Sequence, residues 1–169
     1  PWKEWVKSRL VRQCGAALVA GRRHRAYLRQ LGLQDESIFE GYDVVDNQHF
    51  AGGARVPTGG APHFLACARF LPKKNLGALL EAFSRYREAS GPAAWSLVLL
   101  GDGPLRPQLE AQIDALGLGH CVHLAGFQQY PLLPAYYAAA GAFLHVSTTE
   151  QWGLVVNEAM AAGLPETDD

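Results

Sequence analysis

Two glutamates, Glu150 and Glu158, stand in a Glu-x7-Glu spacing with Gly153 between them, in the run Ser147-Thr-Thr-Glu-Gln-Trp-Gly-Leu-Val-Val-Asn-Glu158. An apolar stretch, Ala142 to Val146, precedes this run, and small residues, Ala159-Met-Ala-Ala-Gly163, follow it. The pattern predicts a strand, a polar turn and a helix start. The first N–H groups of a helix have no internal partner and the dipole is positive there, so such a turn is a natural anion site. Gly153 lets the backbone approach a ligand closely, with Leu154 and Val155 opening the helix behind it. The pair alone would fit two solvated side chains. The small residues after Glu158 pack a helix closely on a sheet and turn its carboxylate toward the strand ends, where open α/β sheets bind ligands.

A second pair carries the opposite charge. Arg69 and Lys74 follow the apolar run Phe64-Leu-Ala-Cys-Ala68 in an Arg-x4-Lys spacing. An Arg can make a planar fork to phosphate, and a Lys acts as a point charge. Placed just after a buried strand, both fit a bound anion, with Lys73 left to solvent. Other chemistries find no matching pattern. There is no Ser/His/Asp set, no Cys-His nucleophile site, no P-loop and no Asp-x-Asp metal pair. Gly101-Asp-Gly103 opens a helix, but the third glycine of a dinucleotide fingerprint is replaced by Arg106. Asp43, Asp46 and His49 fit no standard metal spacing and are assigned turn and capping roles. His145, Tyr136 and Tyr137 are expected to pack rather than react.

The elements that must hold these residues alternate. Strands are expected at 64–68, 95–100, 121–124 and 142–146. Between them lie helices whose apolar faces are Leu76, Leu79, Leu80 and Phe83, then Leu105, Leu109, Ile113 and Leu116, then residues 132–139. Asn75 is expected to cap the first of these helices and Pro104 to open the second. The continuous apolar strands require a parallel sheet covered on both faces. The fold class is therefore α/β, a doubly wound Rossmann-like sheet, preceded by a partial α/β segment.

The run from Ser147 to Pro165 resembles the nucleotide-sugar site of retaining glycosyltransferases of family 4, enzymes with the GT-B fold of two Rossmann-like domains facing across a cleft. Arg69 and Lys74 match that family's Arg-x4-Lys pair, and Gly101-x-Gly103-Pro its loop near the donor. Phe127 and Gln128 match its base-binding position. Val19-Ala-Gly21, Tyr27 to Gly32 and Gly41 to Phe50 resemble the crossing between the two domains. The resemblance implies that Glu150 contacts the donor sugar, that Glu158 holds the ribose hydroxyls, and that the turn around Gly153, Leu154 and Val155 supports the diphosphate. It implies a UDP- or GDP-linked sugar as co-substrate, a saccharide or lipid-linked acceptor, and independence of metal.

On this reading residues 1–50 are the tail of an acceptor domain, 51–62 a Gly- and Pro-rich linker, and 63–169 a donor-binding domain that lacks its last strands. Pro1 and the polar residues 166–169 suggest a piece of a longer enzyme, so the chain alone is expected to be marginal in stability and inactive. A nucleotide-binding module without turnover is the alternative; an oxidoreductase on the same fold is disfavoured by Arg106. The 169 residues are 49% hydrophobic and 18% charged, as in a globular protein, and a net charge of −1 gives no pull toward nucleic acid. Cys14, Cys67 and Cys121 are isolated, which fits reduced thiols in the cytoplasm. The first helix carries Trp2, Trp5, Val6 and Leu10 among Lys3, Lys7, Arg9 and Arg12. It is read as a domain-surface helix, with peripheral contact to the inner membrane surface as the second reading.

Overall fold

The computed structural model describes residues 2–41, 44–53 and 62–167. Most of the expected linker, and Asp43 of the acidic cluster, lie outside the described residues. The chain divides into two compact units, Pro1–Val44 and Val45–Asp169.

In the first unit, α1 (Trp2–Val11) precedes β1 (Ala17–Val19), α2 (Arg22–Leu31) and β2 (Ile38–Glu40). The two short strands are parallel, with Ala17 opposite Ile38. Gly32 ends α2 in the left-handed conformation, at φ 98°, as its position after the last apolar residue predicts. Val19, Leu33 and Ile38 form a small core. Trp2 and Trp5 stay exposed on α1.

The second unit begins earlier than the sequence suggests, because α3 (Asn47–Ala51) belongs to it. Asp46 caps this helix, accepting from the His49 N–H at 3.0 Å. Phe50 is 1% exposed and meets Tyr137 edge-on at 5.5 Å. A buried aromatic of this size ties its helix to whichever core it fills.

From there the chain alternates: β3 (His63–Cys67), α4 (Leu76–Ser90), β4 (Ser96–Leu100), α5 (Arg106–Ala115), β5 (Val122–Gly126), α6 (Leu133–Ala139), β6 (Ala142–Leu144), α7 (Leu154–Ala161) and β7 (Glu166–Thr167). The sheet order is β5-β4-β3-β6-β7, and every pairing is parallel. The polar segment from Glu166 thus enters one more short strand, with Glu166 opposite Phe143. Apolar residues cover both faces. Leu97 and Leu99 pack with Leu79, Leu80 and Phe83 of α4 and Leu109 and Ile113 of α5. Leu65, Leu100 and Phe143 pack with Phe50, Tyr137 and Ala159 on the other side. This is the two-sided burial that makes parallel strands continuously apolar.

Two local expectations change. Asn75 does not cap α4 through its side chain; it takes the left-handed conformation, φ 56°, linking the tight turn Pro72–Lys74 to the helix. An Asn tolerates that conformation where most residues do not. Pro104 lies in the turn before α5, and Pro107 occupies the helix's first turn instead.

Candidate functional site

The strand order sets the site. The chain winds from β3 through β4 to β5, then crosses back so that β6 lies on the other side of β3. The loops after β3 and β6 therefore part in opposite directions and leave a crevice at their carboxyl ends. Arg69 and Lys74 follow β3; Glu150 and α7 follow β6. The two charged pairs found in the sequence meet because of this crossing.

A cleft of about 640 Å³ opens there, lined among others by Arg69, Gly101, Gly103, Phe127, Gln128, Val155 and Glu158. Cys67, Asp102 and Leu133 also line it, and burial pushes the Cys67 thiol up to about 11, which makes it a poor nucleophile. Lys74, Glu150, Gly153 and Leu154 are not among the lining residues. Phe127 is 70% exposed, so it is not a core residue. The Gln128 side chain donates to the Ala125 carbonyl at 2.9 Å, which fixes it at the end of β5.

The glycines at 101 and 103 have a structural cause. The Ala68 N–H donates to the Leu100 carbonyl and the Phe70 N–H to the Asp102 carbonyl, both at 2.9 Å, so the two loops continue the ladder past the strands. A Cβ at Gly101 would stand 2.0 Å from the Ala68 oxygen, and one at Gly103 2.7 Å from the Phe70 oxygen. Only glycine permits this approach. Gly153 is left-handed at φ 72°, but a Cβ there would meet nothing closer than 3.9 Å. Conformation, not space, requires it.

The α7 start is open at its N-terminal end. No side chain caps it and no acidic residue stands in its first turn. The Val156 N–H donates to the Gly153 carbonyl at 2.9 Å, which leaves the Leu154 and Val155 N–H groups available to an anion, with Val155 on the cleft wall. Arg69 enters no ion pair among the described residues and lines the same cleft.

The two glutamates have different surroundings. Glu150 forms an ion pair with Lys74, whose side chain is 13% exposed. Burial pushes the Glu150 carboxyl up, but hydrogen bonds from Lys74 and Ser147, with the Lys74 charge, outweigh it and hold it below the usual value. The buried His145 Nε2 lies 3.4 Å from the same carboxylate oxygen, outside hydrogen-bonding geometry. The turn carrying Glu150 is tied to the lysine loop: the Thr148 N–H and hydroxyl both donate to the Lys73 carbonyl, at 2.9 and 3.2 Å. Glu158 accepts from the Tyr137 hydroxyl at 2.6 Å. Neither His145 nor Tyr137 stood out in the sequence as more than packing. Their spacing to the glutamates follows from the fold, and no local motif signals it.

Among the described residues no group of His, Cys, Asp and Glu could hold a metal ion, and no helix is long and apolar enough to cross a membrane. Over 98 residues the chain is 36% identical to the alpha-monoglucosyldiacylglycerol synthase of Acholeplasma laidlawii, a match covering 58% of this chain and 24% of that protein. It is 35% identical over 97 residues to the lipopolysaccharide core biosynthesis glycosyltransferase LpsD of Rhizobium meliloti, covering 57% and 26%. The chain thus spans about a quarter of the length of these curated relatives. The fold matches the crystal structure of Anabaena Alr3699/HepE in complex with UDP and glucose, with TM-score 0.70 and 22% identity over 98% of this chain and 47% of that one. It also matches WaaG, a glycosyltransferase involved in lipopolysaccharide biosynthesis, with TM-score 0.69 and 18% identity over 90% and 43%. Residues 54–166 match the family of glycosyl transferases group 1, and the chain belongs to that family.

Proposed function

We propose that this chain forms the donor side of a retaining family 4 glycosyltransferase, which takes a sugar from a nucleoside diphosphate to a saccharide or lipid-linked acceptor. The observation that carries the reading is one cleft lined by the Arg69 cation, the uncapped start of α7 at Val155 and the Glu158 carboxylate. A nucleoside diphosphate offers both an anion for the cation and helix start and a diol for the carboxylate.

In this reading the base lies against Phe127 and Gln128, Glu158 accepts from the ribose hydroxyls, and the diphosphate rests on Arg69 and the first N–H groups of α7. Glu150 meets the sugar. The acceptor oxygen attacks the anomeric carbon on the face from which the diphosphate departs. As that carbon–oxygen bond breaks, negative charge gathers on the leaving phosphate, and the acceptor's proton passes to it. Positive charge fixed at that place lowers the barrier. Arg69 supplies it directly. Lys74 supplies it once it turns from Glu150, so donor binding exchanges one ion pair for another. No metal is required for this charge balance. The acceptor side is the business of the rest of the enzyme. Relatives point to glycolipid and polysaccharide synthesis: they include an alpha-monoglucosyldiacylglycerol synthase and a lipopolysaccharide core biosynthesis glycosyltransferase.

Titration calorimetry with UDP and GDP tests the reading. Arg69→Ala should weaken binding of the preferred diphosphate by about ten- to a hundred-fold, the loss of a charge-assisted hydrogen bond of roughly 1.5–3 kcal/mol. Unchanged affinity would remove Arg69 from the diphosphate site.

A further inference from the structure

We propose that Tyr137 is a positioning residue of the donor site: its hydroxyl holds Glu158 in the orientation that receives the ribose. The inference rests on the reading of Glu158 as the ribose ligand and adds the group that aims it.

Tyr137 lies on α6, is 0% exposed, and brings its hydroxyl within 2.6 Å of Glu158 Oε2. The Val155 carbonyl is the next acceptor, at 3.5 Å. A phenol has one proton to give, and the short contact to a carboxylate is the one that takes it. The ring cannot swing away. Phe50 meets it edge-on at 5.5 Å and Phe143 lies tilted against it at 5.7 Å. Burial raises the phenol far above its ordinary range, with the Cys67 and Glu158 charges adding to the effect. It therefore stays protonated, a permanent donor, at any pH the protein survives.

Glu158 stands inside α7 with a flexible stem, and its second oxygen has no protein donor among the described residues. A diol needs a carboxylate held at a fixed angle. Tyr137 occupies one oxygen and leaves the other to the cleft that Glu158 lines. The cost of ordering the side chain is met on folding rather than on binding, which is what preorganisation means for affinity. The core packing of the Tyr137 ring explains an aromatic at this place. It does not explain the hydroxyl, because a phenylalanine would fill the same space without a buried polar atom.

The test is a double-mutant cycle read by calorimetry with UDP, GDP and their 2′-deoxy counterparts. Tyr137→Phe keeps the ring and removes the oxygen. It should weaken binding of the ribonucleotide by about ten-fold, and that of the deoxy form by under about two-fold, and in the full-length enzyme it should raise the donor KM with little change in kcat. In a Glu158→Ala background it should add nothing. Equal weakening of both nucleotide forms, or a full additional loss in the Glu158→Ala background, would show a merely structural role and overturn the proposal. If Glu158→Ala weakens the ribonucleotide while Tyr137→Phe does not, only the positioning role fails. If Glu158→Ala leaves ribonucleotide binding intact, the donor-site reading itself fails.

Discussion

The two glutamates are held in different ways, Glu158 on the cleft wall and Glu150 in the turn after β6, outside the cleft lining. In the turn, Glu150 is bound by charge: Lys74 pairs with it and His145 stands beside it. On the wall, Glu158 is bound by a neutral donor, Tyr137, sealed in the core. A charged partner can be exchanged for a ligand's charge. A buried phenol has nowhere else to go. The first arrangement suits a group that must rearrange during turnover; the second suits a group that must be ready beforehand. Under the proposed function, Glu150 would serve reaction and Glu158 recognition.

The largest expected effects come from comparing the two glutamates. In the full-length enzyme, Glu150→Ala should lower kcat on the order of a hundred-fold, since contacts to the sugar being transferred strengthen in the transition state. Its affinity for free nucleoside diphosphate, which has ribose but no sugar, should stay near parental. Glu158→Ala should raise the Kd for the same diphosphate by about ten-fold or more and act mainly on KM. Equal loss of diphosphate affinity in both variants would erase the division. Parental transfer rates in both would take the whole stretch out of the active site.

The charged pair should also respond to acid. Glu150 is held below the ordinary carboxylate value of 4.5, through the hydrogen bonds and charges that outweigh its burial. A depressed carboxyl stabilises the fold fully above its unfolded value, and that stabilisation fades as pH falls through the folded value. Thermal melts of the parent and Glu150→Gln should therefore differ at pH 6, with the parent higher, and converge as pH drops below about 4.5. A gap that widens in acid would reverse the sign and contradict the pairing.

The smallest effect belongs to Lys73. Its carbonyl holds Thr148, and its side chain is outside both charged pairs. Lys73→Ala keeps that carbonyl, so transfer rates should change by under about two-fold. A loss matching that of Arg69→Ala would move the diphosphate toward Lys73.

Much of this arrangement was legible in the chain itself. Alternating apolar runs and amphipathic stretches predict the strands and helices of the larger unit, because parallel strands covered on both faces leave no polar side to confuse the pattern. Arg69 and Lys74 after one strand, and Glu150 before a helix, could be found by their place at element ends. What could not be read were contacts between helices packed on one face of the sheet. Tyr137 and Glu158 lie on different helices, and nothing local to either marks the bond between them. Phe50 was assigned to the first domain because a Gly-rich stretch follows it; only packing against Tyr137 shows where its helix belongs. Asn75 had the composition of a cap, but the turn before α4 needed a left-handed residue more than a capping oxygen.

The glycine at 101 carries a consequence for how such a site changes its ligand. Where a Cβ would stand 2.0 Å from a neighbouring carbonyl, no side chain can be introduced without parting the two loops. That stretch of the cleft is main chain, and main chain is identical for every nucleotide. On the proposed function, discrimination between bases would fall to the walls, where Phe127 is open to solvent and Gln128 and Leu133 border the space. A change of donor can be selected at those positions while the floor stays untouched. If the cleft takes a nucleotide as proposed, its main-chain floor would serve any nucleotide and its side-chain walls would tell nucleotides apart.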